Sequence, residues 1–500
     1  MTTNANVSDL RDLGGVRGIQ ARWIIECQLK LESATRLGGR TGGPVDMPVL
    51  RDSLKGCPLL TGSTLAGSLR SCLADRLAGY GTQEVAEVAA LFGSSRGDDN
   101  GSQSPLIVFD SYGKLPDKQH VEIRDNVKID GPHGTAESRK KFDGEVLPAG
   151  TSFPIRLELV VPQPIDDGKT PSEEQLLSLM LAALDGLASG DISLGARRSR
   201  GMGRLATGQW KARRFDFSTA DGWLKWLKSD AELPLENMKA HDSAQAACGI
   251  QSAIARKLTL SVDQRERVRI TAKLTFSGGL LVRSPARQAD APDVVHVKSG
   301  GQSVLPGTSL AGVLRNRAIR IARLVGGSAS TTDKADKFVD ELFGPQLYGT
   351  SDRNFNPQAS KLRVSESAVH GGKRLRPTRI RIDRFTQGVF ESALFDEEPD
   401  FGGRVTVTLE LRNPAEGQLG LLLLLVKDLL SGDIAVGGTA SVGRGVASGT
   451  ANLEFRGGTQ GGKRIALDPA TPLKEADLEI VDAEIRALHQ KLTTDNRNSP

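Results

Sequence analysis

The sequence predicts an α+β protein made of two tandem copies of one domain. Three observations carry that prediction. The run Thr61-Gly-Ser-Thr-Leu-Ala-Gly-Ser-Leu-Arg70 returns as Pro306-Gly-Thr-Ser-Leu-Ala-Gly-Val-Leu-Arg315, 245 residues on. The run Ser189-Gly-Asp-Ile through Gly203 returns as Ser431-Gly-Asp-Ile through Gly445, 242 residues on. Between them, Ile129-Asp130 and Phe142-Asp143 are answered in order by Ile382-Asp383 and Phe395-Asp396. A period of half the chain means fused domains, not a solenoid of short repeats. With 500 residues, each copy is large enough to bury a core of its own.

Residues 1–19 are polar and glycine-containing and read as an N-terminal arm. From residue 22 to 32, Ile25, Cys27, Leu29 and Leu31 alternate with Glu26, Gln28, Lys30 and Glu32. That two-residue period is a half-buried strand, and Val268, Ile270, Ala272, Leu274 and Phe276 repeat it. Each strand runs through a glycine-bearing loop into the repeated Gly-Ser/Thr motif. There Ser63 and Thr64, or Thr308 and Ser309, offer N-cap hydroxyls to a following helix. A second strand pattern spans Phe153 to Leu159, and again Val405 to Leu411. Helices follow at 175–188 and 417–430, ending where Gly190 or Gly432 can take the left-handed conformation. A glycine-rich loop and a short strand close each copy. Strand, helix, strands, helix, strand is the order of a ferredoxin-like split unit, which the RNA-recognition motif also uses. The expected domains are 20–208 and 263–460, with polar insertions at 90–150 and 324–400. Residues 209–262 read as a linker with some helix, and 461–500 as a C-terminal helix (470–492) and tail.

Composition narrows the function. Net charge is +5, mildly basic, but Arg197, Arg198, Arg200 and Arg204 crowd one glycine-rich loop. Glycine is 56 of 500 residues, above the usual ~7%, which suggests backbone brought close to a ligand. Aromatic residues make up only 4%, so stacking on exposed rings is not the main binding mode. Cys27, Cys57, Cys72 and Cys248 have no metal-site or redox spacing, which fits a reduced, cytoplasmic setting. The apolar run Leu419 to Val426 stops at Lys427, too short to cross a bilayer, so no membrane partner is expected. Gly168-Lys-Thr170 is not a Walker motif, because Gln163 stands where its first glycine belongs.

The Gly-Ser/Thr motif followed by Leu-Arg, with the distal Gly195-Ala-Arg-Arg-Ser-Arg-Gly-Met-Gly203, resembles the RAMP superfamily of CRISPR-associated proteins. The closer likeness is to the backbone subunits of type III effector complexes. Val45-Asp46-Met-Pro-Val-Leu-Arg-Asp52, Ile382-Asp-Arg-Phe-Thr-Gln-Gly388 and Ala393-Leu-Phe-Asp-Glu-Glu398 carry that part. Two fused copies look like the tandem backbone proteins of type III-D systems. The resemblance implies two RAMP domains stacked along a CRISPR guide RNA (crRNA), with complementary target RNA as substrate. It implies partners: a large polymerase-like subunit, other RAMP backbone subunits and a small subunit. A hairpin from each copy would push between guide and target. An acidic residue in the loop after the first strand would support target cleavage, assisted by a divalent metal ion such as Mg2+.

Site residues follow copy by copy. Gly62, Ser63 and Thr64 with Arg70, and Gly307, Thr308 and Ser309 with Arg315, offer N–H groups, hydroxyls and charge to a guide phosphate at a helix N-terminus. A capped helix with ordinary turn chemistry would use the same residues. Gly195, Arg197, Arg198, Arg200, Gly201 and Gly203 suit an RNA backbone. Their second-copy counterparts, Gly437, Gly443, Arg444 and Gly445, keep the glycines with a single arginine. Asp46 is the expected catalytic residue and metal ligand, and Asp290 or Asp293 is its match. Candidate hairpins are 129–145, with Pro132 and His133, and 382–398, with Phe385, Val389 and Phe390 as wedges. A subunit that holds RNA without cutting it, a metal-independent processor of the CRISPR transcript and a protein scaffold are the competing functions.

Overall fold

In a computed structural model the described residues are 18–494, apart from 40–44, 82–83, 95–100, 131–134, 165–169, 230–245, 257, 259–261, 287–290, 328–331, 346–357 and 392. The first copy begins with β1 (Ile19–Leu31), α1 (Gly62–Ala78) and α2 (Ala86–Phe92). It continues with β2 (Leu106–Val108), the pair β3 (Glu122–Ile129) and β4 (Ala136–Val146), β5 (Ser152–Pro162), α3 (Glu173–Ala188) and β6 (Leu205–Thr207). Its sheet runs β2-β5-β1-β6, antiparallel throughout. The register sets Ile25 opposite Leu157 and Leu29 opposite Phe153. Because side chains alternate across a strand, these residues share one face, and α1 and α3 supply Leu65, Leu69 and Leu181 to the same core.

Between the copies lie β7 (Lys211–Asp216), α4 (Ala220–Lys228) and α5 (Ala246–Ile254). The sequence puts 209–262 in a linker, yet β7 pairs with β1 from Ala21 to Glu26 and extends the first sheet. Glu26, expected on a solvent face, is therefore buried. It shares an open cavity of about 540 Å³ with Trp210, Lys211 and Ala253, and burial raises its carboxyl above the usual range.

The second copy repeats the plan. It has β8 (Arg267–Phe276), β9 (Val294–His296), α6 (Gly307–Gly326), α7 (Thr332–Phe343) and β10 (Leu362–Val364). Then come β11 (Thr378–Arg379), β12 (Phe395–Glu398), β13 (Arg404–Arg412), α8 (Gln418–Leu430) and β14 (Ala447–Arg456). Its sheet runs β10-β13-β8-β14 and is extended by β15 (Arg464–Leu467). A last helix, α9 (Glu475–Thr493), buries Leu488 and Leu492 in the second core. Residues 461–494, expected as a helix and tail outside the domain, thus belong partly to it. Each copy has its own large apolar core, as its length predicts.

The copies meet through charge. Glu366 accepts the Ala34 N–H (3.0 Å) and a buried, bidentate Arg124. Asp191, also buried, accepts from Arg265 (2.9 Å) and Arg267 (2.5 Å). Arg363 donates to the Asp191 carbonyl (3.1 Å).

Candidate functional site

The glycine-rich loops have one geometry in both copies. Gly195, Gly201 and Gly203 have φ of +83°, +80° and +81°; Gly437, Gly443 and Gly445 have +91°, +78° and +74°. Arg197 and Thr439, at matching places, are left-handed without being glycine. The glycines answer to the protein's own backbone. A Cβ on Gly203 would lie 1.9 Å from the Leu194 oxygen, and one on Gly445 1.9 Å from the Val436 oxygen. Gly195 and Gly437 likewise face the carbonyls of Arg36 and Leu281. At these four glycines the close approach that the missing Cβ permits is made to the protein's own backbone. Only the remaining pair differs: Gly201 is pressed against Glu366 of the second copy, while Gly443 has open space.

The arginines separate by role. Arg197 donates to the Asn126 Oδ1 (2.6 Å) and lies over the Phe142 ring. Arg444 is buried and donates to Glu397. Each thus ties its loop to the insertion of its own copy. Arg200 donates to the Phe343 carbonyl of the second copy (2.8 Å), and burial beside Arg315 and Arg197 lowers its pKa to about 10. Arg198 is exposed; its carbonyl accepts the Gly201 N–H (3.3 Å), while its guanidinium has no hydrogen-bonded partner among the described residues.

The two helix starts differ. Thr61, not Ser63 or Thr64, is the N-cap of α1; its hydroxyl accepts the Thr64 N–H (3.3 Å). The Gly62 N–H already donates to the Asp110 carboxylate (2.7 Å). Pro306 occupies the N-cap of α6, in place of Thr308 or Ser309, without a side-chain bond. The Cβ that Gly307 lacks would fall 2.3 Å from the Arg200 oxygen, so the first copy's loop covers this helix start. Arg70 pairs with Glu84 on the surface, and Arg315 is buried against the Gly344 carbonyl and Asp340. Of the hydroxyls, Ser63 and Thr64 stand exposed.

Asp46 lies exposed in the loop after β1 and is stitched to the hairpin strand β4. Its N–H donates to the Asp143 Oδ1 (3.0 Å), and its Oδ2 accepts the Asp143 N–H (3.0 Å). Further along, the Glu145 N–H reaches the Met47 carbonyl (2.9 Å), and the Val49 N–H the Glu145 carboxylate (2.9 Å). The second copy repeats the stitch. Asp293 Oδ2 accepts the Asp396 N–H (2.9 Å), and β9 pairs with β12 beside it. Since Asp396 is the repeat of Asp143, Asp293 occupies the place of Asp46. Asp290 lies outside the described residues. Asp143 and Asp396 were visible in the sequence as a repeated Phe-Asp pair, without a role.

The insertions match at their turns. The Asp130 N–H donates to the Thr135 carbonyl and the Asp383 N–H to the Gly388 carbonyl, both at 2.8 Å. β3 and β4 form the expected first hairpin; its Pro132 and His133 lie outside the described residues. In the second copy the expected hairpin is reduced to a bridge between Ile382 and Val389, and β12 pairs with β9 and β11 instead. Asp383 accepts the N–H groups of Phe385 and Thr386, which hold its carboxyl below the usual range. Phe385 (82% exposed), Val389 (62%) and Phe390 (39%) line this projection.

Among the described residues, no three His, Cys, Asp or Glu side chains are grouped to hold a metal ion. Asp46 and Asp293 each commit Oδ2 to a backbone N–H of the insertion, leaving Oδ1 without a hydrogen bond among those residues. One carboxylate oxygen per copy fits a Mg2+ that keeps its waters and takes other ligands from a phosphate. Burial pushes the Cys27 and Cys72 thiols up to about 12 and 11, so neither is poised as a nucleophile. No helix among the described residues is long and apolar enough to cross a membrane.

Comparison with known proteins agrees with the internal repeat. The model of the RAMP superfamily matches residues 28–206 and again 282–448, together more than half of the chain. The chain is similar to the CRISPR system Cms endoribonuclease Csm3 of Streptococcus thermophilus. Identity is 25% over 208 residues, covering 38% of this chain and 90% of that protein. Two matched regions, each holding one stitched aspartate loop and one glycine-rich loop, make this chain a member of the RAMP superfamily with two tandem RAMP domains.

Proposed function

We propose that the chain is a crRNA-binding backbone subunit of a type III CRISPR ribonucleoprotein and cuts guide-paired target RNA once per copy, at Asp46 and Asp293. One observation carries the reading: both copies hold an exposed loop aspartate by the same bond to the base of an insertion. In the second copy that insertion presents apolar side chains to solvent. Such side chains are suited to wedging between bases. The similarity to a protein named an endoribonuclease supports the chemistry. The free Oδ1 of each aspartate can orient a water or accept a proton from a 2′-hydroxyl. A Mg2+ arriving with the target would stabilise charge on the scissile phosphate. Exposed Ser63, Thr64 and Arg198 are candidates for guide contacts. The large polymerase-like subunit, other RAMP backbone subunits and a small subunit are the expected partners.

The test is target cleavage by the purified complex with single variants. Asp46→Ala should remove one product and Asp293→Ala another, each leaving target binding intact, and EDTA should stop both cuts. Binding with no cut in the wild type would mean a structural subunit. EDTA-resistant cutting of the repeat transcript would mean a processing nuclease.

A further inference from the structure

The two stitches are not equivalent. In the first copy the contact is reciprocal: Asp46 accepts the Asp143 N–H, and the Asp143 carboxylate accepts the Asp46 N–H. In the second copy only the backbone half remains. There the Asp396 carboxylate is turned to Arg376 (2.7 Å and 3.0 Å), and the Thr378 hydroxyl together with Arg376 holds it below the usual carboxyl range. Asp143 has no ion-pair partner among the described residues.

We propose that Asp143 is a positioning residue for Asp46, and that the first cleavage site therefore depends on a side chain where the second depends on backbone alone. This rests on the reading of Asp46 and Asp293 as the cleaving carboxylates. A backbone N–H survives any substitution at its own residue except proline. Removing the Asp396 side chain thus leaves Asp293 held, whereas removing that of Asp143 frees the Asp46 N–H and half of the clasp. Asp293 directly precedes β9, whose pairing with β12 fixes its backbone, whereas Asp46 adjoins no strand among the described residues. Asn at 143 keeps an acceptor oxygen for the Asp46 N–H and exchanges the other oxygen and the charge for a neutral NH2.

The experiment uses the assembled complex and a labelled target RNA whose two cuts give distinguishable fragments. Target binding is measured alongside. Asp143→Ala should slow the Asp46-dependent cut about 10- to 100-fold, the usual effect of losing a supporting contact. The Asp293-dependent cut and target affinity should not change. Asp143→Asn should restore the first cut to within about threefold, and Asp396→Ala should leave the second within the same margin of wild type. An unchanged first cut in Asp143→Ala, with Asp46→Ala inactive there, overturns the inference alone. Equal loss of both cuts in Asp143→Ala also overturns it, since that is a global defect. If Asp46→Ala and Asp293→Ala leave both cuts intact, the underlying assignment fails instead.

Discussion

Gly203 and Gly443 sit in equivalent loops with nearly the same positive φ, yet substitution should not affect them alike. At Gly203 an added methyl meets the Leu194 carbonyl; at Gly443 it meets nothing within 4 Å. Gly443→Ala should therefore lose only the left-handed penalty, about 1–2 kcal/mol. Gly203→Ala adds overpacking of about 1–3 kcal/mol. Thermal midpoints of the two variants check this, with Gly203→Ala the lower. The same contrast shows what the glycine count meant. Sequence composition points to a ligand, but the carbonyls nearest to most of these glycines are the protein's own.

At the scale of elements, the proposed function makes the loop-and-insertion unit the functional module. Phe385, Val389 and Phe390 are exposed, so Phe385→Ala and Val389→Ala should shift stability by no more than about 0.5 kcal/mol. On the proposed function, they should also blunt the Asp293-dependent cut while sparing the Asp46-dependent one. Fragment analysis beside a melting curve separates the two effects; a large fall in the midpoint would place these side chains in the fold instead. Strands, helices and repeated motifs were legible because period-2 and period-3.6 patterns are local. The N-caps lie two or three residues before the expected positions, because Ser63, Thr64, Thr308 and Ser309 carry the right hydroxyls but backbone geometry assigns the caps to Thr61 and Pro306. The strand at Lys211–Asp216 was missed because only its pairing with β1 declares it.

For the whole molecule, the contact between the copies depends on buried carboxylates. Burial alone would raise the Asp191 carboxyl, but Arg267 and Arg265 outweigh it and hold it below its ordinary 3.8. Glu410, under the arginines Arg412, Arg267, Arg269 and Arg363, is likewise held below 4.5 despite its burial. Both folded values lie below the unfolded ones. Their stabilisation is therefore full above about pH 5 and is lost as the solution is acidified through the folded pKa values. Thermal midpoints should be flat from pH 7 to about 5 and then fall. Asp191→Asn should start lower at pH 7 and fall less steeply. Glu366→Ala leaves Arg124 buried and unpaired, a change that typically costs about 3–5 kcal/mol. Chemical denaturation should show the contact between the copies weakened; an unchanged midpoint would mean that water reaches Arg124.

By itself the sequence determined the duplication, the α+β order of each copy, the two cores and the kinship that the repeated glycine motifs carry, because each is written in residue types at fixed spacing. Only the tertiary structure shows that Asp293 accepts the Asp396 N–H, 103 residues away, and it is this contact that favours Asp293 in the proposed function. It also decided which arginines are spent inside the protein. Arg200, Arg315 and Arg444 look like phosphate ligands in a list of residues. In the fold their partners, the Phe343 carbonyl, Asp340 and Glu397, come from distant segments that spacing along the chain does not reveal.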